Sequence, residues 1–252
     1  MTTTCGGSGQ METCGRNPLP YGDEKRAVVR AMFDEVAPRY DMVNRFISMG
    51  MDIWWRRRTV RALALPRGSV VLDLACGTGD LSRMLHRSGI ETIGVDMSTG
   101  MLLASGGDAS RAAGMVPVLG DALALPFADA SFDGAVCGFA LRNFTDLGGV
   151  FAELARVVRP GGRIALLEVG VPSSAVIRAG YKVWFEHAVP IIGGLLSDAK
   201  DAYRYLPRSV EYLPPPEGLK SLLRASGMRS VGRRTLGAGA AQLLTASRGE
   251  GS

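Results

Sequence analysis

Three acidic residues lie at or near the ends of short apolar runs in this sequence. Asp73 belongs to the run that leads into Gly77-Thr78-Gly79, whereas Asp96 and Asp121 each close a later run. If these runs are parallel strands, their carboxyl ends meet at one edge of an open sheet, where such sheets bind ligands. Glycine lets the backbone of such an edge approach a ligand closely. The spacing therefore predicts a small-molecule site at that edge.

The glycine spacing argues against a dinucleotide, because no third glycine follows to complete the fingerprint that cradles a pyrophosphate. S-adenosylmethionine has no phosphate and fits the three acids better. Asp73 would anchor its ammonium group through water or amide groups. Asp96 would accept from both ribose hydroxyls, and Asp121 from the adenine amino group, with a backbone amide at Ala122 facing the ring. The alternative, three solvated strand-end acids, is weaker for three successive strands than for one.

The surrounding pattern alternates short apolar strands with helices. This predicts an α/β fold with a doubly wound, mostly parallel seven-stranded sheet. The expected strands are 69–74, 92–95, 116–120, 134–139, 163–169, 228–236 and 242–246. We expect 159–162 to be a tight turn into the fifth strand.

The chain divides into several expected parts around one methyltransferase domain, 23–247. Residues 1–22, rich in Gly, Ser, Thr and Pro, predict a disordered leader. A helical lid at 23–65, interrupted near 48–50, precedes a cofactor-binding core at 66–171. An aromatic-rich insertion at 172–216 would cover the substrate, a C-terminal helix and strands would fill 217–247, and 248–252 would be a frayed tail.

Charge, cysteine count and hydropathy argue against nucleic-acid binding, metal binding and membrane spanning, but they do not identify the protein's function. The 252 residues carry a net charge of +5, with basic residues spread along the chain rather than gathered in a tail. An RNA-binding protein could show this balance, but the chain lacks a distinct RNA-binding appendage, so we expect no nucleic-acid partner. Four cysteines without a CxxC pair and two histidines argue against a metal site. No apolar run is long enough to cross a bilayer, which favours a cytoplasmic protein.

Four stretches of the sequence resemble the ubiquinone/menaquinone biosynthesis C-methyltransferase family (UbiE/MenG), within the Rossmann-like Class I methyltransferases. They are 33–50 followed by Trp54-Trp55, the Phe-Ala-Leu-Arg-Asn-Phe-Thr-Asp segment 139–146, residues 156–163 leading to Leu167-Glu168, and 197–210. The resemblance covers roughly 24–246. It implies S-adenosylmethionine-dependent methylation of a ring carbon of a polyprenylated quinol, typically demethylmenaquinol to menaquinol in respiratory quinone biosynthesis.

The resemblance also implies particular cofactor contacts. The matching positions are Thr78, Asp96, Asp121, Ala122 and Gly138. Gly138 is commonly Ser in the family, so a side-chain contact would be missing here.

Several departures from the family pattern concern the expected acceptor side. Asp52 stands where the family usually has His, Gly170 where it has Ser, and 240–244 differ from the usual run. These leave open a related C- or O-methyltransferase that acts on a phenolic or polyketide secondary metabolite.

The chemistry of ring methylation points to further residues. A quinol carbon becomes nucleophilic as the neighbouring hydroxyl loses its proton. We expect Arg142, with Asn143 beside it, to stabilise that phenolate directly or through water. The alternative is that Arg142 caps a helix or pairs with Asp146. His187 is a candidate general base, although a packed neutral histidine fits as well.

The remaining candidates concern positioning and partners. Tyr203 would contact the quinol, Tyr40 would order the lid over the donor, and Met97 would contact the cofactor beside Asp96. The segment Trp54-Trp55-Arg56-Arg57-Arg58 suits peripheral contact with the inner face of the cell membrane. Its alternative is a packed tryptophan with solvated arginines. A homodimer through the aromatic insertion is also left open.

Overall fold

A computed structural model describes residues 20–106, 114–172, 174–175, 178–180, 184, 205 and 208–250. These contain a seven-stranded sheet in the order β3-β2-β1-β4-β5-β7-β6. The strands are β1 Val70–Leu74, β2 Glu91–Asp96, β3 Met115–Leu119, β4 Phe132–Gly138, β5 Val158–Val169, β6 Met228–Leu236 and β7 Ala241–Arg248. The first five pair in parallel, and β7 runs antiparallel to both of its neighbours. The predicted doubly wound, mostly parallel fold is confirmed.

Seven α-helices accompany the sheet in the described residues. They are α1 Gly22–Val36, α2 Tyr40–Ile47, α3 Met51–Leu63, α4 Asp80–Arg87, α5 Thr99–Ala104, α6 Leu147–Val157 and α7 Pro216–Ala225. The interruption between α2 and α3 lies where it was expected, with Gly50 in the left-handed region at φ 75°.

The expected turn at 159–162 is wrong. Val158 already pairs with Phe132, and the next pair is Arg163 with Gly134, so these four residues form an irregularity inside β5. Gly161 at φ 73° provides the backbone conformation that such an irregularity needs. The Pro-Gly-Gly sequence does bend the backbone, but β5 pairs with β4 on both sides of the bend.

Alternating residues of the sheet face two helical layers, as the two-residue period of a strand requires. Leu72 of β1 packs in a core with Phe151 of α6 and Leu219 of α7. Val71, its neighbour, packs on the other face with Leu63 of α3 and Leu85 of α4. Because β2 and β4 flank β1 and their helices cover opposite faces, a crevice opens at the carboxyl ends of these strands.

Helices α1 and α2 lie across that carboxyl edge. Their apolar residues Met32, Val36 and Val43 form a small separate core with Met101 of α5. Asp34 of α1 accepts from the Ser98 hydroxyl at 2.6 Å and from the Gly100 N–H at 2.8 Å, where α5 begins. The predicted leader lies outside the described residues up to residue 19, and so does most of 172–216. The division into parts stays a prediction.

An ionic cluster joins helices α2 and α3 to α4. We call it the Asp80 cluster, and it comprises Asp41, Arg45, Asp52, Arg56, Asp80 and Arg83. Arg45 bridges Asp52 and Asp80. Arg56 donates to Asp52 at 2.6 Å and lies 3.7 Å from Asp80. Burial opposes ionisation of Asp80, but Arg56, Arg45 and Arg83 outweigh it and hold its pKa below the ordinary value.

We expect the substitution Asp52→Asn to destabilise the fold by about 3 kcal/mol, because it removes the carboxylate that pairs with both Arg45 and the buried Arg56 and leaves Arg56 only the longer contact with Asp80. Urea unfolding would measure the change. Asp129→Asn is the matched control, since Asp129 pairs with Arg156 at the surface, where such pairs contribute less than about 1 kcal/mol. Equal losses for both variants would show that the Asp80 cluster does not hold the helices in place.

Candidate active site

A cavity of about 830 Å³ opens at the carboxyl ends of β1, β2 and β4. We call it the sheet-edge cavity. It brings together eight of the predicted site residues: Tyr40, Gly77, Asp96, Met97, Asp121, Ala122, Gly138 and Asn143.

The loop after β1 forms the floor of this cavity. Three of its residues adopt left-handed backbone conformations: Ala75 at φ 53°, Gly77 at 55° and Gly79 at 86°. Two are glycines, which reach this region without strain, and Ala75 pays a conformational cost of the kind that clusters at functional sites. The Gly77 N–H donates to Asp96 at 2.8 Å, which holds the loop against the end of β2.

Asp96 presents a nearly buried carboxylate to the cavity. Besides the Gly77 N–H, it accepts from the Ser98 N–H at 2.9 Å. Burial raises the pKa of Asp96, and these backbone hydrogen bonds oppose the shift. A carboxylate has about four lone-pair positions, so Asp96 keeps capacity for ligand hydroxyls.

Three predicted contact residues, Asp73, Thr78 and Gly79, do not line the sheet-edge cavity. The Asp73 carboxylate accepts from the Ser82 hydroxyl at 2.6 Å and from its N–H at 3.1 Å. The Thr78 hydroxyl donates to Asp41 at 2.6 Å. The hydrogen bonds of Asp73 and Thr78 order the loop, and the cofactor contacts expected of Asp73, Thr78 and Gly79 stay predictions.

The rim of the cavity is closed by helix α1. Asp121, just after β3, accepts from the Leu123 N–H at 3.1 Å and pairs with Arg26 at 2.7 Å. Gly138 closes the opposite side, where an added β-carbon would lie 2.9 Å from Leu81 Cδ1. Because Cδ1 is the end of a flexible side chain, a change of the Leu81 rotamer would make room for that β-carbon.

The residues of the sheet-edge cavity fit S-adenosylmethionine. Asp96 and Asp121 supply acceptors for hydroxyl and amino donors, while Phe33 and Met101 supply apolar walls. Asp73 Oδ1 is buried and has no hydrogen-bond partner within the described ranges. Burial raises the pKa of Asp73 to about 7, and a cation nearby would favour its ionised form.

A second cavity, of about 750 Å³, lies between the sheet and helices α2 and α3. We call it the α2–α3 cavity. It is lined by Tyr40, Asn44, Ile47, Ser48, Met49, Met51, Asp52, Trp55, Arg56, Phe139, Arg142, Val169, Trp184 and Ala240. Tyr40 and Phe139 line both cavities, so these two side chains form a shared wall.

Phe139 is held in an uncommon conformation at that wall. Its φ is 62°, in the left-handed region that a bulky residue rarely adopts. Its N–H donates to the Leu167 carbonyl at 2.7 Å. Its ring meets Trp55 edge-on at 6.1 Å and lies 5.2 Å from the Arg56 guanidinium. These contacts fix the ring at the junction of the two cavities.

Arg142 is buried and pairs with Glu168, not with Asp146. The guanidinium donates to Glu168 at 2.5 Å and to the Phe139 carbonyl at 2.6 Å, and the Arg142 N–H donates to Glu168 at 3.1 Å. Asp146 instead caps α6 by accepting from the Gly149 N–H. Burial alone would lower the pKa of Arg142, but the Glu168 carboxylate outweighs it and raises that pKa.

Lys25 is a site residue that the sequence reasoning missed. Its ammonium donates to the carbonyls of Arg142 and Phe144, each at 2.8 Å, and lies 3.6 Å from the centre of the Tyr212 ring. Burial, and then Arg142, lower the pKa of Lys25 to about 8. One signal could have found it: Lys25 occupies the same helical face as the buried Val29, Met32 and Val36.

Other expectations divide between the described and the undescribed residues. Tyr203 and His187 lie outside the described residues, so their roles stay predictions. Asn143 accepts from the Tyr205 hydroxyl at 3.4 Å. The segment 54–58 does not form one face, because Trp55 and Arg56 are buried while Trp54, Arg57 and Arg58 are exposed.

Two absences hold for the described part of the chain. None of its helices combines the length and apolarity needed to cross a membrane. The same ranges contain no group of three or more His, Cys, Asp or Glu side chains arranged to hold a metal ion.

Comparison with known proteins agrees with this geometry. The model of the ubiE/COQ5 methyltransferase family matches residues 21–248. A demethylmenaquinone methyltransferase of Thermus thermophilus is 44% identical over 78% of this chain and 90% of its own length. The ubiquinone/menaquinone biosynthesis C-methyltransferase UbiE of Geobacter sulfurreducens is 38% identical over 90% of each chain. A solved SAM-dependent methyltransferase of Thermotoga maritima, 20% identical, shares the fold with a TM-score of 0.61 over 87% of this chain and 99% of its own.

We expect Asp96→Asn to weaken binding of S-adenosylhomocysteine at least tenfold, about 1.4 kcal/mol, because an amide replaces the carboxylate of the cavity wall. Isothermal titration calorimetry would measure the affinity. Asp133→Asn is the control: Asp133 also accepts a strand N–H, that of Val70 at 2.7 Å, but at the opposite end of the sheet. Unchanged affinity in Asp96→Asn would remove Asp96 from the ligand site.

Proposed function

Because the chain belongs to the ubiE/COQ5 methyltransferase family and uses S-adenosylmethionine as its methyl donor, we propose that it methylates a ring carbon of a polyprenylated quinol. Demethylmenaquinol, converted to menaquinol in respiratory quinone biosynthesis, is the acceptor that the relatives' names indicate. One observation carries the proposal: a second, largely apolar cavity shares the wall of Tyr40 and Phe139 with the donor site.

The donor is assigned to the sheet-edge cavity. Asp96 is proposed to accept from the ribose hydroxyls, Asp121 and the Ala122 backbone to contact the adenine, and Asp73 to order the loop below the amino-acid end. Met97, Gly77 and Gly138 complete the cavity wall. When bound, S-adenosylmethionine supplies a methyl group that its positive sulfur has already activated.

The acceptor ring is assigned to the α2–α3 cavity. Its lining includes Arg142, and Ile47, Met49 and Met51 offer apolar walls suited to a lipid chain. A ring that binds beside Tyr40 and Phe139 lies next to the donor site, where its carbon can face the methyl group directly. The ring carbon exchanges its proton for the methyl group, so one proton leaves in each turnover.

Arg142 is proposed to stabilise the phenolate that makes the ring carbon nucleophilic. The guanidinium is buried, and hydrogen bonds to Glu168 and the Phe139 carbonyl fix its orientation. A pre-oriented donor in a buried site stabilises developing charge without having to reorganise. Asn143, which lines the sheet-edge cavity, would place its amide beside the transferred group.

We further propose a cytoplasmic enzyme that contacts the inner face of the membrane peripherally. Large apolar side chains are exposed along α2 and α3, among them Phe46, Met49 and Trp54, with exposed fractions of 56%, 67% and 44%. Such side chains, flanked by arginines, bind bilayer interfaces. No nucleic-acid partner is proposed, and a homodimer stays a prediction.

The acceptor can be tested directly with purified enzyme. With labelled S-adenosylmethionine, short-chain demethylmenaquinol should gain one methyl group on a ring carbon, as mass spectrometry and NMR of the product would show. Soluble phenols of similar ring size are the comparison. Methylation of phenols with the quinol untouched would favour the secondary-metabolite alternative.

We expect Arg142→Lys to lower kcat at least about 100-fold, since lysine cannot keep both the Glu168 pair and an oriented donor. Affinity for S-adenosylhomocysteine should stay unchanged, because Arg142 does not line the sheet-edge cavity. The control is Arg156→Lys, an arginine that also bonds a glutamate and two backbone carbonyls but lies away from both cavities. A normal kcat in Arg142→Lys would exclude the proposed role.

A further inference from the structure

A third concave surface lies between α3 and α4, outside both cavities described above. This basic cleft has a volume of about 1080 Å³. Its charged lining residues are Arg45, Arg57, Arg61, Arg83, Arg87 and Asp80. Five guanidinium groups therefore share one concave surface with a single carboxylate.

Three of these arginines have no acidic partner within the described residues. Asp80 is already paired with Arg45 and Arg83, which also contact other carboxylates of the Asp80 cluster. Within the described residues, Arg57, Arg61 and Arg87 form no ion pair. All three are exposed.

The fold does not require this concentration of charge. Arg57 and Arg61 lie one turn apart on α3, a spacing at which like charges destabilise a helix. An anion bound between them would reverse that repulsion. Guanidinium forks match the oxygens of phosphate in bidentate pairs, so phosphate is the anion that this cleft suits best.

The surface beside the cleft is apolar. At 100° per residue, the face of α3 that lines the cleft adjoins the face that carries Trp54 and Met51. Met49 and Met51 also line the α2–α3 cavity, so its entrance lies beside the same exposed residues. The exposed apolar residues therefore lie next to the basic cleft and next to the entrance of the α2–α3 cavity.

We propose that the basic cleft binds the phosphate headgroup of an anionic phospholipid and so holds the entrance of the α2–α3 cavity on the bilayer. The proposal deepens the peripheral membrane contact inferred above and rests on it. A lipid is favoured over free phosphate because the exposed apolar side chains lie next to the cleft, where acyl chains would meet them. The headgroup fixes orientation, which scattered surface charge cannot do.

The test is co-sedimentation of the full chain with vesicles of phosphatidylcholine alone or with one-third phosphatidylglycerol. The wild-type protein should bind only the anionic vesicles. The triple variant Arg57→Gln, Arg61→Gln and Arg87→Gln should bind them at least tenfold more weakly. The control triple, Arg224→Gln, Arg229→Gln and Arg234→Gln, removes the same charge from exposed positions on α7 and β6 and should bind as the wild type does.

Each other outcome would overturn the proposal. Equal losses in both triples would show diffuse attraction rather than a cleft. Vesicle binding that is unaffected by the first triple, in a variant whose thermal unfolding is unchanged, would remove the cleft from membrane contact. A third outcome would point to a soluble anion. In it, inorganic phosphate binds the cleft in calorimetry and displaces the protein from vesicles, and Trp54→Ala binds the vesicles as tightly as the wild type does. The assay uses neither quinol nor methyl donor, so failure of the proposed methylation would leave its result unaffected.

Discussion

The carboxylate of Asp80 is the point on which the two cavities depend. It belongs to the first residue of α4, directly after the glycine loop, and three guanidinium groups from α2, α3 and α4 surround it. That shared charge links α2 and α3 to α4 and adds to the apolar packing that holds α2 over the sheet edge. The same interaction therefore positions the floor of one cavity and the roof of the other.

Two residues then decide how donor and acceptor meet. Tyr40 begins α2 and Phe139 follows β4, so the shared wall joins a cover helix to a strand of the central sheet. The unusual backbone of Phe139 is maintained from below by the Arg142 and Glu168 pair, which bonds its carbonyl. Arg142 therefore helps to hold Phe139 in place at the wall that the two cavities share.

Local pattern predicted the strands, the glycine loop and the acids at strand ends, because alternation and turn chemistry act within a few residues. It could not predict partners brought together by the fold. Arg142 pairs with Glu168 across two neighbouring strands, and Lys25 reaches a carbonyl 117 positions away. For the same reason, the sequence predicted one membrane-facing segment containing Trp54 and Trp55. The rotation of the helix instead exposes Trp54 and buries Trp55.

The contacts of Lys25 also constrain the order in which the chain assembles. Helix α1 emerges early in synthesis, yet its buried ammonium needs carbonyls of Arg142 and Phe144 and the ring of Tyr212. These contacts of Lys25 close a much longer loop than the packing of Met32 against Met101 of α5 does. Helix α1 can therefore pack on α5 first, and Lys25 gains its partners only once most of the chain has been made.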